Sequence, residues 1–322
     1  METRLKEIIS YAIHLQATDI HFTWNECMLI ECRVHKRFML IPTKEKDEQL
    51  FSYLQYLSNM DLSSFAKPQS GAFELLINDN LYAFRFAILM TSQHKSGVLR
   101  ILNYHQAIPL QQLILKGEHR KLFKQWCTYE NGLILVGGPT SSGKTTTAYS
   151  LLNHMNKRKI YTLEDPVEIY FDSMVQIQIN PKISLTYDEG IKQLLRHDPD
   201  VIFIGEIRDE VTAKMAIRCA LTGHLVISTI HASSCRNMIH RLLDLGISKY
   251  DLEDVLVGLA NQRLFQLHNK QKRVSLYELY QREDILDCLH HKESIYPSFQ
   301  KEIAYAYQKR WISFEDAQRN IV

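Results

Sequence analysis

The segment Gly138-Pro139-Thr140-Ser141-Ser142-Gly143-Lys144-Thr145 narrows the choice of fold more than any other feature of this chain. It fits the pattern G-x-x-x-x-G-K-[ST], and its surroundings fit as well. An apolar run at residues 132–136 leads into it, and a helical stretch at 146–155 follows. A strand, a glycine-rich turn and a helix N-terminus in that order direct backbone N–H groups inward, where they can cradle phosphate oxygens. Lys144 can neutralise the β- and γ-phosphates and the Thr145 hydroxyl can ligate Mg²⁺, with Thr146 on the same rim. Residues Gly138 to Thr146 are therefore the expected ATP cradle, and Thr145 is an expected magnesium ligand.

Three further segments carry chemistry. In Asp198-Pro-Asp-Val-Ile-Phe-Ile-Gly-Glu206-Ile-Arg-Asp209, an apolar strand ends in acids. In a sheet of this type the carboxyl ends of strands face the phosphate-binding turn. Glu206 is the candidate Walker B carboxylate, acting on Mg²⁺ directly or through its water shell. In Thr162-Leu-Glu164-Asp-Pro-Val-Glu168, acids again follow an apolar strand and a proline stops it. Hydrolysis of a γ-phosphate needs a group that orients the attacking water, and Glu164 is the candidate. Gly223-His224-Leu-Val-Ile-Ser-Thr-Ile-His231 sets histidines at the two ends of one strand, with His231 as the candidate γ-phosphate sensor.

The chain of 322 residues is long enough for about two domains, and 45% hydrophobic with 23% charged residues is ordinary for a folded protein. Residues 1–105 read as a small α+β domain: a helix at 5–15, another at 46–59, and aromatic or branched strands between polar turns. Residues 106–112, with Pro109, read as a linker. Residues 113–245 alternate helices with short, wholly apolar strands, which predicts a parallel sheet covered on both faces and hence an α/β core. Beyond about Arg241 the sequence reads as mainly helical, so 246–322 form an expected helical C-terminal region.

A net charge of +2 argues against a DNA- or membrane-coating surface, so no direct nucleic-acid contact is expected. Cys27, Cys32, Cys127, Cys219, Cys235 and Cys288 are scattered without a CxxC pair, which supports neither a disulfide framework nor a zinc site. No apolar stretch approaches the roughly 18 residues that span a bilayer, and the polar start is unlike a signal peptide. A cytoplasmic protein is expected.

Taken in order, the glycine-rich turn, the EDPVE segment, the DPDVIFIGEIRD segment and TGHLVISTIHA resemble the secretion and type IV pilus ATPase superfamily. Its members include type II secretion, pilus assembly and pilus retraction motors. The resemblance extends to Ala17-Thr-Asp19-Ile-His21, to His240-Arg-Leu-Leu-Asp-Leu-Gly246 and to Asn261-Gln262-Arg263-Leu264, and so covers nearly the whole chain. It implies a PAS-like N-terminal domain joined to a RecA-like P-loop ATPase domain, working as a homohexamer with ATP and Mg²⁺. It also implies that arginines of the N-terminal domain reach the nucleotide; Arg85 and Arg100 occupy the matching strands, and a guanidinium fork suits phosphate oxygens. Arg196 and Arg208 match family arginines near the Glu206 strand.

Neither the extra N-terminal domain and four-cysteine insert of the larger assembly and secretion motors nor the C-terminal signature of the retraction motors is expected from this sequence. Ala220-Leu-Thr-Gly-His224 also resembles the assembly branch. The resemblance thus points to the competence pseudopilus motors of Gram-positive bacteria, which drive uptake of external DNA. It implies a polytopic inner-membrane platform partner, and peripheral attachment to the inner face of the membrane through it. Other readings stay open: the ATPase of another type II secretion or pilus system, a nucleic-acid translocase, or a nucleotide-gated scaffold.

Overall fold

The computed structural model describes residues 1–15, 17–34, 37–62, 67–91, 94–102, 108–180, 184–267, 273–292, 296 and 298–319. The chain forms two compact units, one built chiefly on Met1–His105 and the other on Gln106–Val167 and Phe171–Val322. The stretch 106–112, expected as a linker, is grouped with the second unit and runs into its first helix; residues 106 and 107 fall outside the described residues.

In the first unit, apolar residues three and four apart make one buried face of α1 (Glu2–His14): Leu5, Ile8, Ile9 and Ala12. Then come β1 (Asp19–Trp24), β2 (Met28–Val34), β3 (Arg37–Ile41), α2 (Gln49–Leu57), β4 (Gln69–Ile77), β5 (Asn80–Met90) and β6 (Lys95–Leu102). The strands form an antiparallel sheet in the order β3-β2-β1-β6-β5-β4. Phe22, Phe84, Phe86 and Leu99 from the sheet share a core with Ile8 and Ile9 of α1 and Phe51 and Leu54 of α2. This is the α+β unit expected for the N-terminal part.

The second unit opens with α3 (Leu110–Leu113) and α4 (Gly117–Trp126). It continues through β7 (Gly132–Gly137), α5 (Lys144–His154), β8 (Ile160–Glu164), β9 (Val175–Gln178), α6 (Tyr187–Leu194), β10 (Val201–Ile207), α7 (Glu210–Leu221) and β11 (Leu225–Ile230). It ends with α8 (Cys235–Asp244), α9 (Lys249–Val255), β12 (Leu256–Gln266), β13 (Arg273–Gln281), α10 (Arg282–Leu289), α11 (Phe299–Gln308) and α12 (Phe314–Arg319). The sheet runs β13-β12-β7-β11-β10-β8-β9, parallel throughout except for the antiparallel edge strand β13. Every residue of β7 and β11 is buried, as strands covered on both faces require.

One expectation needs correcting. The stretch after Arg241 supplies α8 to α12, but it also supplies β12 and β13, which continue the sheet from β7. Leu256, Leu259, Ala260 and Leu264 are spaced like a buried helical face, which disguises the strand. Tertiary context overrides that spacing, because the N–H and C=O groups along this side of β7 are buried and need partners.

Candidate nucleotide-binding site

The glycine-rich turn is shaped by backbone that few side chains tolerate. Gly138, Ser141 and Gly143 have φ of 147°, 62° and 87°. At Gly138 a Cβ would also sit 2.4 Å from the Gln262 carbonyl oxygen, so only glycine fits. Gly143 is the residue before α5, and Lys144 is the helix's first residue. The open N–H groups of that first turn and the helix dipole both favour an anion. Pro139, Thr140 and Ser141 are exposed, whereas Gly143, Thr145 and Thr146 are half-buried. The Lys144 ammonium is folded into the turn, donating to the carbonyls of Gly138 at 3.1 Å and Pro139 at 3.0 Å. The Ser142 hydroxyl is buried without a hydrogen-bond partner among the described residues. A helix N-terminus, an ammonium and an unsatisfied hydroxyl fit a polyphosphate.

Because β8, β10 and β11 run parallel to β7, their carboxyl ends lie along the same sheet edge as the turn. Glu206 sits where β10 bulges: its pairing with β11 is regular through Ile204, then shifts before Ile207. Ser228 donates to the Ile204 carbonyl at 2.6 Å and Thr229 to the Gly205 carbonyl at 2.7 Å, fixing the bulge that turns Glu206 outward. One Glu206 oxygen lies 2.9 Å from His231 Nε2, and the other accepts from Arg208 Nε at 2.8 Å. Burial lowers the His231 pKa below its ordinary value, and the nearby Lys144 charge lowers it further, outweighing the opposing pull of Glu206. A neutral imidazole at neutral pH follows.

Glu164 is buried at the end of β8. Its carboxylate accepts from the Tyr149 hydroxyl of α5, from Thr162 Oγ1 at 2.6 Å and from Gln176 Nε2 at 3.3 Å. The structure therefore brings Lys144, Glu206 and His231 together at the carboxyl end of the sheet, with His231 the most exposed of the three, and buries Glu164 one strand away. His224 is elsewhere. It lies at the amino end of β11, with Nδ1 3.2 Å from the Cys219 carbonyl and 3.1 Å from Thr222 Oγ1, and packs the end of α7. The length of β11 separates the two histidines, as their places at its opposite ends in the sequence already implied.

Arg85 and Arg100 belong to the first unit, where they are cross-strand partners on β5 and β6. Arg85 is half-buried. Arg100 Nε donates to Asp19 Oδ1 at 2.8 Å, which ties it to the Ala17–His21 stretch. Sequence reasoning gave no chemical role to Asn261 or Gln262, although both stand buried beside the site. Their polarity inside an otherwise apolar run was the available signal.

A parallel sheet with a phosphate-binding turn after β7 and acids on the neighbouring strands defines a RecA-like secretion ATPase fold. The chain belongs to the Type II/IV secretion system protein family, whose model matches residues 1–302, a family of P-loop ATPases. It is 33% identical over 317 residues to Competence protein ComGA of Bacillus subtilis (strain 168), covering 92% of this chain and 89% of that one. It is 36% identical over 269 residues to Type II secretion system protein E of Pseudomonas aeruginosa, covering 82% of this chain and 54% of that one. Among solved structures, the pilus retraction motor PilT with bound ADP superimposes with a TM-score of 0.77 at 27% identity, covering 98% and 96% of the two chains. The resemblance expected from the motifs is thus found along nearly the whole chain.

Proposed function

We propose that this chain is a magnesium-dependent ATP-hydrolysing motor that assembles a competence pseudopilus for uptake of external DNA. The observation that carries hydrolysis is the meeting of Lys144, Glu206 and His231 at one sheet edge beside the anion-ready N-terminus of α5. In this reading Lys144 exchanges the Gly138 and Pro139 carbonyls for β- and γ-phosphate oxygens. Thr145 and Glu206 would hold Mg²⁺, which would supply charge neutralisation to the polyphosphate. Glu164, whose direction is fixed by its three donors, orients the attacking water. His231, neutral and against Glu206, senses the γ-phosphate. By the family resemblance, Arg85 and Arg100 of the N-terminal unit contribute to hydrolysis.

The competence assignment is supported by the similarity to ComGA over nearly the full length of both chains. The motor acts as a homohexamer on a polytopic membrane platform protein, and that partner holds it at the inner face of the membrane. Among the described residues no helix is long and apolar enough to cross a membrane. The similarity to Type II secretion system protein E favours one second reading, the motor of a type II secretion system. Deleting the gene and assaying DNA uptake, surface pili and secreted proteins in parallel separates the two. Normal transformation in a Lys144→Ala strain would defeat the competence role and leave the ATPase assignment standing.

A further inference from the structure

Neighbouring residues of a strand point to opposite faces of a sheet, and cross-strand partners share a face. Asn261 and Gln262 are such neighbours on β12, and they pair with Glu278 and Tyr277 on β13. All four are buried. On one face, Gln262 Nε2 donates to the Ser142 carbonyl at 2.8 Å and to Ser275 Oγ at 3.1 Å. Its Oε1 accepts from Thr147 Oγ1 at 2.7 Å, and the Tyr277 hydroxyl lies 3.1 Å from that same oxygen of Thr147. The amide therefore bridges the turn at Ser142 and the first turns of α5 at Thr147. The Gln262 backbone carbonyl closes the space that makes Gly138 obligatory.

On the other face, Asn261 Nδ2 donates to the Ser233 carbonyl at 2.9 Å and to Glu278 Oε2 at 3.2 Å. The same Glu278 oxygen accepts from the backbone N–H of Cys235 at 2.9 Å, at the start of α8. Ser233 is two residues beyond His231. One hairpin thus grips the phosphate-binding turn with one face and the segment carrying His231 with the other.

We propose that β12–β13 is a two-sided positioning element, in which Gln262 with Tyr277 sets nucleotide affinity and Asn261 with Glu278 sets turnover. This rests on the nucleotide-binding reading above. A purely packing role would show itself as lost stability with both parameters moving together. A positioning role separates them, because the turn is engaged in every bound state while His231 matters most as the γ-phosphate bond breaks.

The test uses the full-length chain with ADP and ATP in the presence of magnesium, and reads ADP Kd, kcat at saturating ATP, and thermal midpoint. Gln262→Met keeps the volume and removes the amide; it is expected to weaken ADP about tenfold or more, with kcat changed less than about threefold. Asn261→Leu is expected to lower kcat about tenfold while ADP Kd stays within about twofold. If either variant fails to fold, Tyr277→Phe and Glu278→Gln replace them, with smaller shifts in the same directions. Folded variants that move Kd and kcat by equal factors, or move neither, overturn the proposal. A wild-type chain that binds no ADP overturns the nucleotide reading along with it, whereas normal wild-type binding and turnover without the split ends this proposal alone.

Discussion

Along β4 of the first unit, half-buried and exposed residues alternate almost to the end, whereas β7 and β11 of the second are buried at every position. An antiparallel sheet with one wet face can carry charged side chains anywhere along its strands, as Arg85 and Arg100 show in β5 and β6. A sheet buried on both faces cannot, because an unpartnered polar group inside it costs several kcal/mol, roughly 2–7 by transfer measurements. Its chemistry is driven to the strand ends, where turns, bulges and helix N-termini offer partners. Lys144, Glu206 and His231 all sit in such places. Gln262 and Glu164 do lie inside, and each of their polar ends is held by a named partner. Asn261 Oδ1, by contrast, is buried without one among the described residues.

The largest effect expected from that difference is at the rim. Lys144→Ala should lower ATP hydrolysis on the order of 10²- to 10³-fold, because it removes charge stabilisation where negative charge develops. The fold should persist, since the shape of the turn is set by the backbone of Gly138 and Gly143 rather than by the lysine's bonds to the Gly138 and Pro139 carbonyls. Phosphate release and circular dichroism on the purified variant check both halves; a wild-type rate in a folded variant would sink the assignment.

Glu164→Gln should come next. It keeps the shape of the side chain but replaces one acceptor oxygen with an NH₂ donor, which the Tyr149 or Thr162 hydroxyl can rotate to accept. ATP affinity should therefore hold while turnover falls about 100-fold if the carboxylate orients water. Equilibrium binding beside single-turnover kinetics makes the distinction. Collapse of ATP affinity would make Glu164 a brace between α5, β8 and β9, as its bonds to Tyr149, Thr162 and Gln176 already allow.

The same contrast explains what the sequence disclosed. The turn at Gly138–Thr145 was legible because its spacing is fixed by phosphate geometry and its flanks show a strand and a helix. Strands β7, β10 and β11 were legible because short apolar runs bounded by turn residues have few other uses. Strand β12 was not, because Leu256, Leu259, Ala260 and Leu264 fall at helical spacing, nor was β13, whose buried run is broken in the sequence by Ser275 and Glu278. The bulge at Gly205–Glu206 was hidden for another reason: Ser228 and Thr229 hold it from the neighbouring strand, and sequence does not show who pairs with whom. The burial of Glu164 depends likewise on Tyr149 and Gln176, from other elements.

Stability should follow the burial difference more modestly. Leu135→Ala opens a cavity in the centre of the two-sided sheet and should cost about 3 kcal/mol. Leu76→Ala in β4, at a residue 52% exposed, should cost less than about 1 kcal/mol. Urea unfolding of each variant measures both, and equal losses would mean that the exposed face of the first sheet is covered in solution.

The smallest stability effect is expected at Arg100, and there it sharpens the comparison most. Its partner Asp19 is pushed up by burial, but hydrogen bonds from Arg100 and Thr18 outweigh this and hold its carboxyl below its ordinary value. A carboxylate with a depressed folded pKa stabilises the fold above its unfolded pKa, and that contribution fades only as pH falls through the depressed value. At neutral pH it is present in full. Arg100 itself is 62% exposed, so solvent screens the pair and Arg100→Ala should cost less than about 1 kcal/mol. If Arg100 serves only Asp19, turnover in the variant stays at the wild-type level and the stability difference shrinks only as pH falls below the ordinary carboxylate range, through the depressed value of Asp19. If Arg100 also reaches bound phosphate, as the family resemblance implies, turnover falls at least about tenfold at pH 7 while stability barely moves. Measuring hydrolysis at pH 7 beside unfolding at pH 3 and pH 7 separates an arginine that braces a strand from one that leaves it for the nucleotide.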